Sequence, residues 1–390
     1  MAALAAVLIV ALCFAFVVYV LFGYPLLLGA VAKRSARPVA RAPMRESVSF
    51  LVAVYNGEAF LEAKLRSILA LDYPRELMDI LVLSDGSTDR TEEIARRMSV
   101  EGVRLLALPH KGKSAALTEG IKAARGEFLV FTDVRQELES QSLALLMENM
   151  ADPSVGVVSG ALTILNPATH EEADTSLYWR YELRIRDHLS RIDSFFGATG
   201  AYYIVRRELA VPIPPGSLLD DMYLPLSVFF KGYRLIVDPR ARMFDAPAAL
   251  DAEFRRKVRT LAGNYQILRA YPRLLGPSNR LWFHFWSYKF ARLLLPLALI
   301  LGFAASFALP EPWSLAAVGS QLCFYALAAI DLVIPPGFPV KRLTSPVRTF
   351  VTLMGAGIFA LSVFFVSPEK IWTPSQAQAK SHGPVVLPDR

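Results

Sequence analysis

Two kinds of apolar pattern divide the chain. From Ala2 to Ala32 no charged residue occurs, a run longer than the roughly 20 residues one helix needs to cross a bilayer. Dense apolar runs return near the other end. These are Leu293 to Leu309, preceded by Trp282, Phe283, Phe285, Trp286 and Tyr288; Trp313 to Ile334, broken by Asp331; and the shorter, glycine-containing Phe350 to Val366. Between Glu46 and about Gly276 the pattern changes to short β-branched runs alternating with stretches of helical spacing. Val48–Val54 predicts a strand, and Glu58–Leu71 a helix with Phe60, Leu61, Leu65, Ile68 and Leu69 on one side. Ile80–Leu83, Val103–Leu108 and Glu127–Phe131 predict three more strands. Helices are predicted from near Arg90, with Ser87 or Thr88 as cap, and over Ser114–Ala124. This strand–helix rhythm predicts a parallel sheet with helices on both faces, a fold that binds ligands at the strand carboxyl ends. Those ends carry Asn56 with Glu58, Asp85, and Asp133.

Composition sharpens this division. Of 390 residues, 54% are hydrophobic and 20% charged, too apolar for a purely soluble protein and incompatible with a disordered, collagenous or disulfide-rich chain. Cys13 and Cys323 lie inside apolar runs, where cysteine acts as a small hydrophobe. His110, His170, His188, His284 and His382 are scattered, forming no metal-ligand spacing and no Ser-His-Asp order. The net charge of +7 concentrates beside the apolar runs: Lys33, Arg34, Arg37, Arg41 and Arg45 after the first, Lys341, Arg342 and Arg348 after the third. Such placement argues against nucleic-acid binding. By the positive-inside rule it sets the N-terminus outside and the central domain in the cytoplasm. The first run has no basic n-region and exceeds an h-region, so it reads as an uncleaved helix.

The expected organisation is a transmembrane helix over 1–32, a basic linker over 33–46 and a cytoplasmic α/β domain over 47–276. An interfacial segment and second helix follow over 277–309, a third over 313–334 and a fourth over 347–366, with a tail over 367–390. The fourth either crosses or lies in the interface, leaving the side of the tail open.

One motif invites a different reading. His110-Lys111-Gly112-Lys113-Ser114 ends as a P-loop does, but the glycine required five residues before Gly112 is Ala107. The P-loop reading fails, while Lys113 at a helix N-terminus stays a candidate phosphate ligand.

Together the strand-end motifs resemble those of membrane-bound family-two glycosyltransferases, such as the cellulose, hyaluronan and poly-N-acetylglucosamine synthases. The similarity runs from Ser49 to about Arg269. Val54-Tyr55-Asn56-Gly57-Glu58 resembles the first strand-end motif beside the nucleoside. Asp85-Gly86-Ser87-Thr88-Asp89 resembles the turn whose aspartate binds the base. Thr132-Asp133-Val134-Arg135 lies where the family carries Asp-x-Asp, and Leu219-Asp220-Asp221 resembles the later pair whose second member is the catalytic base. Arg256-Lys257-Val258-Arg259 sits at the Gln-x-x-Arg-Trp motif, lacking its glutamine and having Thr260 for the tryptophan. Each also has a structural reading: a turn and cap at Asp85, a dipole-complementing pair at Asp220-Asp221, a juxtamembrane basic face at Arg255, Arg256 and Arg259.

The resemblance implies a GT-A nucleotide-diphospho-sugar transferase domain with a mainly parallel sheet. It implies an integral protein of a bacterial inner membrane, taking a uridine diphosphate sugar from the cytoplasm and passing the sugar to a membrane-associated glycan or lipid with inversion. In that scheme Asp221 is the general base; Tyr55, Asn56, Glu58, Asp85, Lys113, Asp133, Arg135, Arg256 and Arg259 bind the donor; Gly197, Gly200 and Asp220 face the acceptor. Glycines in Phe196-Gly197-Ala198-Thr199-Gly200 would let an acceptor approach the backbone. Asp133 would hold a divalent Mg or Mn on the diphosphate, but Arg135 replaces the second aspartate, which leaves metal dependence open and offers a guanidinium to the diphosphate. The incomplete Arg256 motif leaves processivity open. A synthase partner or homo-oligomer is a further expectation. The alternative is a degenerate transferase domain acting as a nucleotide-binding scaffold, favoured by Arg135 and opposed by the retained Asp85, Asp133 and Asp221. Ser176 to Arg191 has basic amphipathic character, suited either to the membrane surface or to packing on the sheet.

Overall fold

In the computed structural model, residues 1–165, 177–246, 250–335, 337–367 and 370 are described. The chain forms two compact units. One comprises Ala32–Thr175 with Arg186–Ala252, the other Met1–Val31, Ser176–Ile185 and Glu253–Ser367.

The first unit is built on an eight-stranded sheet of order β3-β2-β1-β4-β7-β6-β8-β5. Its strands are β1 (Val48–Val54), β2 (Met78–Asp85), β3 (Val103–Leu108), β4 (Phe128–Asp133), β5 (Glu137–Leu138), β6 (Val155–Ile164), β7 (Tyr202–Arg206) and β8 (Arg234–Asp245). The β3-β2-β1-β4 half is parallel throughout, as the strand–helix rhythm requires. The sheet then departs from the parallel expectation: β7 runs antiparallel to both β4 and β6, and β5 antiparallel to β8, while β6 and β8 are parallel. The whole is a mixed α/β sheet.

Parallel strands covered on both faces must be apolar almost continuously, and β1 is buried at every position except the half-buried Ala53. Val48, Phe50, Val52 and Val54 join Ile80, Val82 and Val130 in a core with the helix residues Leu61, Leu65, Ile68 and Ile94. On the opposite face, Leu51 and Leu83 lie under the Lys113–Ala123 helix, which comes so close at Gly120 that a Cβ there would stand 2.5 Å from Leu83 Cδ1. Ser49, alone polar in β1, is fully buried and donates to Asp79 at 2.7 Å.

The register aligns the carboxyl ends. Val54 pairs with Ser84, Asp85 with Leu108, and Ala53 with Asp133, so the polar turns after β1, β2 and β4 share one edge. The predicted cap is corrected there. The helix after β2 begins at Thr91, and Asp89 accepts from Thr91 N at 3.0 Å. Ser87 and Thr88 lie short of that start and instead bind Asn56: Asn56 N donates to Ser87 Oγ at 3.1 Å and Thr88 N to Asn56 Oδ1 at 2.7 Å.

The second unit is helical. Four helices are long and apolar enough to cross a membrane: Ala2–Arg34, Trp282–Ser306, Trp313–Ile330 and Lys341–Phe364. A π-helical stretch at Tyr19–Gly23 precedes Pro25, the ladder irregularity a proline without an N–H brings. Its buried charges are paired, as charges away from water must be. Glu182 binds Arg292 and accepts from Tyr288 at 2.8 Å. Asp331 accepts from Thr344 at 2.5 Å and Ser345 at 3.0 Å and pairs with Arg348 at 2.8 Å. The predicted tail over 367–390 lies almost wholly outside the described residues, as do Ser176, His170 and His382.

Candidate active site

The shared carboxyl edge gathers polar residues from distant parts of the chain, and each acidic group there is held differently. At the β1 end, Asn56 adopts φ +50°, a left-handed conformation that asparagine tolerates better than most residues. Its amide joins the β1 turn to the β2 turn through Ser87 and Thr88. Glu58 continues this stitch: its N–H donates to Asp89 at 3.0 Å and its carboxylate accepts from Arg90 N at 3.1 Å.

Asp85 closes β2 and is only 3% exposed. Its Oδ1 accepts from Lys111 N at 2.8 Å, its Oδ2 from Gly112 N at 2.9 Å, and His110 Nδ1 lies 3.0 Å from Oδ2. The carboxylate therefore shapes the 110–112 loop. His110 in turn stacks on Tyr55, ring centroids 4.3 Å apart, a flat aromatic surface of the kind a base can join.

From that loop the Lys113–Ala123 helix starts, and Lys113 Nζ reaches Asp133 Oδ1 at 2.8 Å and Asp220 Oδ2 at 3.2 Å. Burial alone would lower the lysine's pKa, but Asp133 and Asp220 outweigh it and hold the ammonium well above its ordinary range. Lys113 thus clamps the end of β4 to the start of the Asp220–Phe229 helix.

Asp221 is next along that helix. Gly200 N donates to its Oδ2 at 3.1 Å, and its own carbonyl accepts from Ala198 N at 2.7 Å. A Cβ on Gly200 would stand 2.7 Å from Asp221 Oδ2. The close approach that Gly200 allows is therefore to the carboxylate of Asp221, which accepts from the Gly200 N–H.

Arg135 is bound to Asp245 at 2.5 Å, and Gln136 Nε2 donates to the same oxygen at 2.7 Å. Asp245 is 4% exposed, and a buried carboxylate requires such countercharge.

The chain also matches known proteins. A family model described as Glycosyl transferase family 2 matches residues 49–210, and one described as Glycosyl transferase family group 2 matches residues 136–332, just over half the chain. The chain belongs to glycosyl transferase family group 2. Curated relatives include the poly-beta-1,6-N-acetyl-D-glucosamine synthases of Staphylococcus aureus (strain COL), 23% identical, and Staphylococcus epidermidis, 24% identical. Each match extends over 234 residues, 57% of this chain and 56% of the relative, so the chain spans little more than half their length. Among solved structures, the mannosyltransferase PcManGT from Pyrobaculum calidifontis, in complex with GDP-Man and Mn2+, has a TM-score of 0.72 at 25% identity, covering 92% of this chain and 99% of its own.

The side chains at this edge do not by themselves form a divalent-ion site. Among the described residues no three His, Cys, Asp or Glu side chains are grouped to hold one. The position of the second carboxylate is a guanidinium, and Asp133 already carries the Lys113 ammonium. Arg256 and Arg259 belong to the other compact unit, where Arg256 lies 3.7 Å from Glu253.

Two residues whose titration is coupled to Asp133 went unread in the sequence. Lys64 sits on the inward side of the Leu61–Leu69 helix at 1% exposure, its Nζ donating to Gln136 O at 2.7 Å. Burial pulls its pKa down to about 7, against the opposing pull of Asp133 and Glu137. Tyr203 of β7 is fully buried. Burial first, then Asp220, Asp221 and Asp133, raise its pKa far above that of a free phenol, so it remains a hydrogen-bond donor.

Proposed function

We propose that this chain moves a sugar from a nucleoside diphosphate donor to a hydroxyl of a membrane-associated glycan or lipid, inverting the anomeric centre. The observation that carries the reading is the Lys113–Asp133–Asp220 clamp with Asp221 beside it, at the sheet edge where such folds take ligands.

The chemistry follows from charge. As the anomeric bond breaks, the nucleoside diphosphate gains negative charge and needs fixed positive groups. Lys113 supplies an ammonium, and the helix that it begins supplies N–H groups and a favourable dipole end. The acceptor hydroxyl needs a base on the far side of the sugar. Asp221 takes that proton from a position held by Gly200 N–H. One displacement of this kind inverts the centre and requires no second carboxylate nucleophile. Tyr55 and His110 offer the base a stacking surface. The resemblance suggests uridine, while the solved mannosyltransferase was seen with GDP-Man, so a donor panel must contain both.

Four apolar helices and the basic residues after the first support an integral membrane protein with its transferase domain in the cytoplasm. The competing reading, a nucleotide-binding scaffold, has Arg135 in its favour. Product stereochemistry tests the proposal: NMR of the first transferred residue should show the anomeric configuration opposite to the donor's. Retention of configuration would refute the role given to Asp221.

A further inference from the structure

Asp85 is the residue to which the resemblance assigns the base, yet its buried carboxylate is already occupied. Oδ1 accepts from Lys111 N at 2.8 Å and Gly112 N at 3.1 Å, and Oδ2 from Gly112 N at 2.9 Å with His110 Nδ1 at 3.0 Å. A carboxylate offers about four acceptor positions, and the 110–112 loop meets all of them.

His110 is the opposite case. Its side chain is 52% exposed at the carboxyl edge of the sheet, where folds of this type take ligands. Nδ1 faces two oxygens, Asp85 O at 2.8 Å and Asp85 Oδ2 at 3.0 Å. A carbonyl and a carboxylate only accept, so Nδ1 carries the hydrogen and the neutral ring keeps its lone pair on Nε2. Nε2 makes no hydrogen bond among the described residues. Tyr55 stacks on the imidazole, and the backbone of residue 110 lies so close to Gly86 that a Cβ there would stand 2.8 Å from His110 N. The ring is thus held in place while Nε2 stays its unengaged polar atom.

Stacking accepts any base, because every base has a flat face; choice among bases comes from hydrogen bonds to an edge. A bare acceptor nitrogen suits a base that presents a ring N–H. Uracil has one at N3 and guanine at N1, whereas cytosine and adenine carry an acceptor nitrogen at the corresponding position. We infer that His110 Nε2 accepts a hydrogen bond from the ring N–H of the donor's base and so selects uracil or guanine over cytosine and adenine. This inference rests on the transferase reading above, in taking the ligand at this edge to be a nucleoside diphosphate.

The experiment measures, by calorimetry on full-length protein in detergent, affinities for UDP, GDP, CDP, ADP and inorganic pyrophosphate in wild type, His110→Asn and His110→Gln, with a thermal ramp to read folding. Asparagine keeps an amide N–H for Asp85 but ends short of Nε2, whereas glutamine extends an amide oxygen to about that place. Wild type is expected to prefer UDP or GDP to CDP and ADP. In His110→Asn that preference should shrink about 3–10-fold, the worth of one hydrogen bond, with pyrophosphate affinity unchanged, and His110→Gln should keep most of it. An undiminished preference in His110→Asn overturns the inference, as does a wild type that binds CDP or ADP best. An equal loss for pyrophosphate and the nucleotides also overturns it, because His110 would then only support the loop. Should a variant melt too low to assay, wild type is given N3-methyl-UDP and N1-methyl-GDP: affinity lower by about 3-fold or more supports the hydrogen bond, and unchanged affinity overturns it. If wild type binds these nucleotides but turns over none of their sugars, the transferase reading fails by itself, and the base preference still decides the role of His110.

Discussion

The acidic groups at the sheet edge are held in two ways. Asp85 is held mainly by backbone: two N–H groups of the 110–112 loop and an imidazole fix it. Asp133 and Asp220 are held by one movable ammonium at the end of a four-carbon stem. Backbone N–H groups cannot leave without rearranging the loop, so Asp85 is part of the fold. An ammonium can exchange one set of oxygens for another, so under the proposed function the Lys113 clamp is the part that substrate phosphates take over. One region builds the site and the other works in it.

Substitutions can break this contrast, and the largest effect should come from the working side. Asp221→Asn removes the proposed proton acceptor while keeping an oxygen for the Gly200 N–H. Turnover should drop about 10²–10⁴-fold in a nucleotide-release assay, with the melting temperature unchanged. Gly200→Ala leaves every charge in place but sets a Cβ 2.7 Å from Asp221 Oδ2. Displacing a reacting group by about 1 Å costs on the order of 100-fold, and kcat is expected to fall by that much with little change in nucleotide affinity. Lys113→Met should weaken nucleoside diphosphate binding about 10–100-fold, the worth of a charge-assisted contact of about 1.5–3 kcal/mol. Because the ammonium carries this role, excess chelator should change wild-type nucleotide affinity by less than about threefold. A 100-fold loss in chelator would show that an ion faces the phosphates instead.

On the building side the order reverses. Asp85→Ala should lower stability by about 1–3 kcal/mol, since it leaves loop N–H groups without their acceptor, and urea unfolding would read this directly. A pH-dependent effect belongs to Lys64, whose pKa falls from 10.5 to about 7 on folding. Between those values the unfolded chain binds more protons than the native one, so this group's contribution to stability rises with pH above about 7, and below it the full penalty of a buried charge remains. Lys64→Met should therefore gain on wild type at pH 6, with the advantage shrinking by at most about 1.4 kcal/mol per pH unit towards pH 9. Parallel melting curves across that range, with a constant offset, would contradict it.

The same contrast explains what could be read from the sequence. β1 to β4 were legible because strands buried on both faces are continuous apolar runs ended by polar turns. The second half was not. β8 carries Asp238, Pro239, Arg240 and Arg242 within its span, and β6 opens apolar but turns small and polar after Val158. Asp85, Asp133 and Asp221 stand in motifs that a sequence displays. Their partners do not: Asp245 is 110 residues from Arg135, and nothing local shows that Lys113 reaches Asp220. Lys64 and Tyr203 stand in no motif. Burial of a polar group distinguishes such residues, and burial is a property of the fold. The antiparallel β7, which sets Tyr203 opposite Phe131, likewise depends on long-range pairing that periodicity cannot reveal.

The most direct test of the central claim is release of nucleoside diphosphate by purified full-length protein in detergent, given a panel of uridine and guanosine diphosphate sugars and a membrane extract as acceptor. The account predicts release from at least one donor by wild type, and its loss in Asp221→Asn with nucleotide affinity retained. A folded wild-type protein that binds nucleotide yet releases none, with Asp221→Asn leaving cellular glycans unaltered, would contradict it and favour the scaffold.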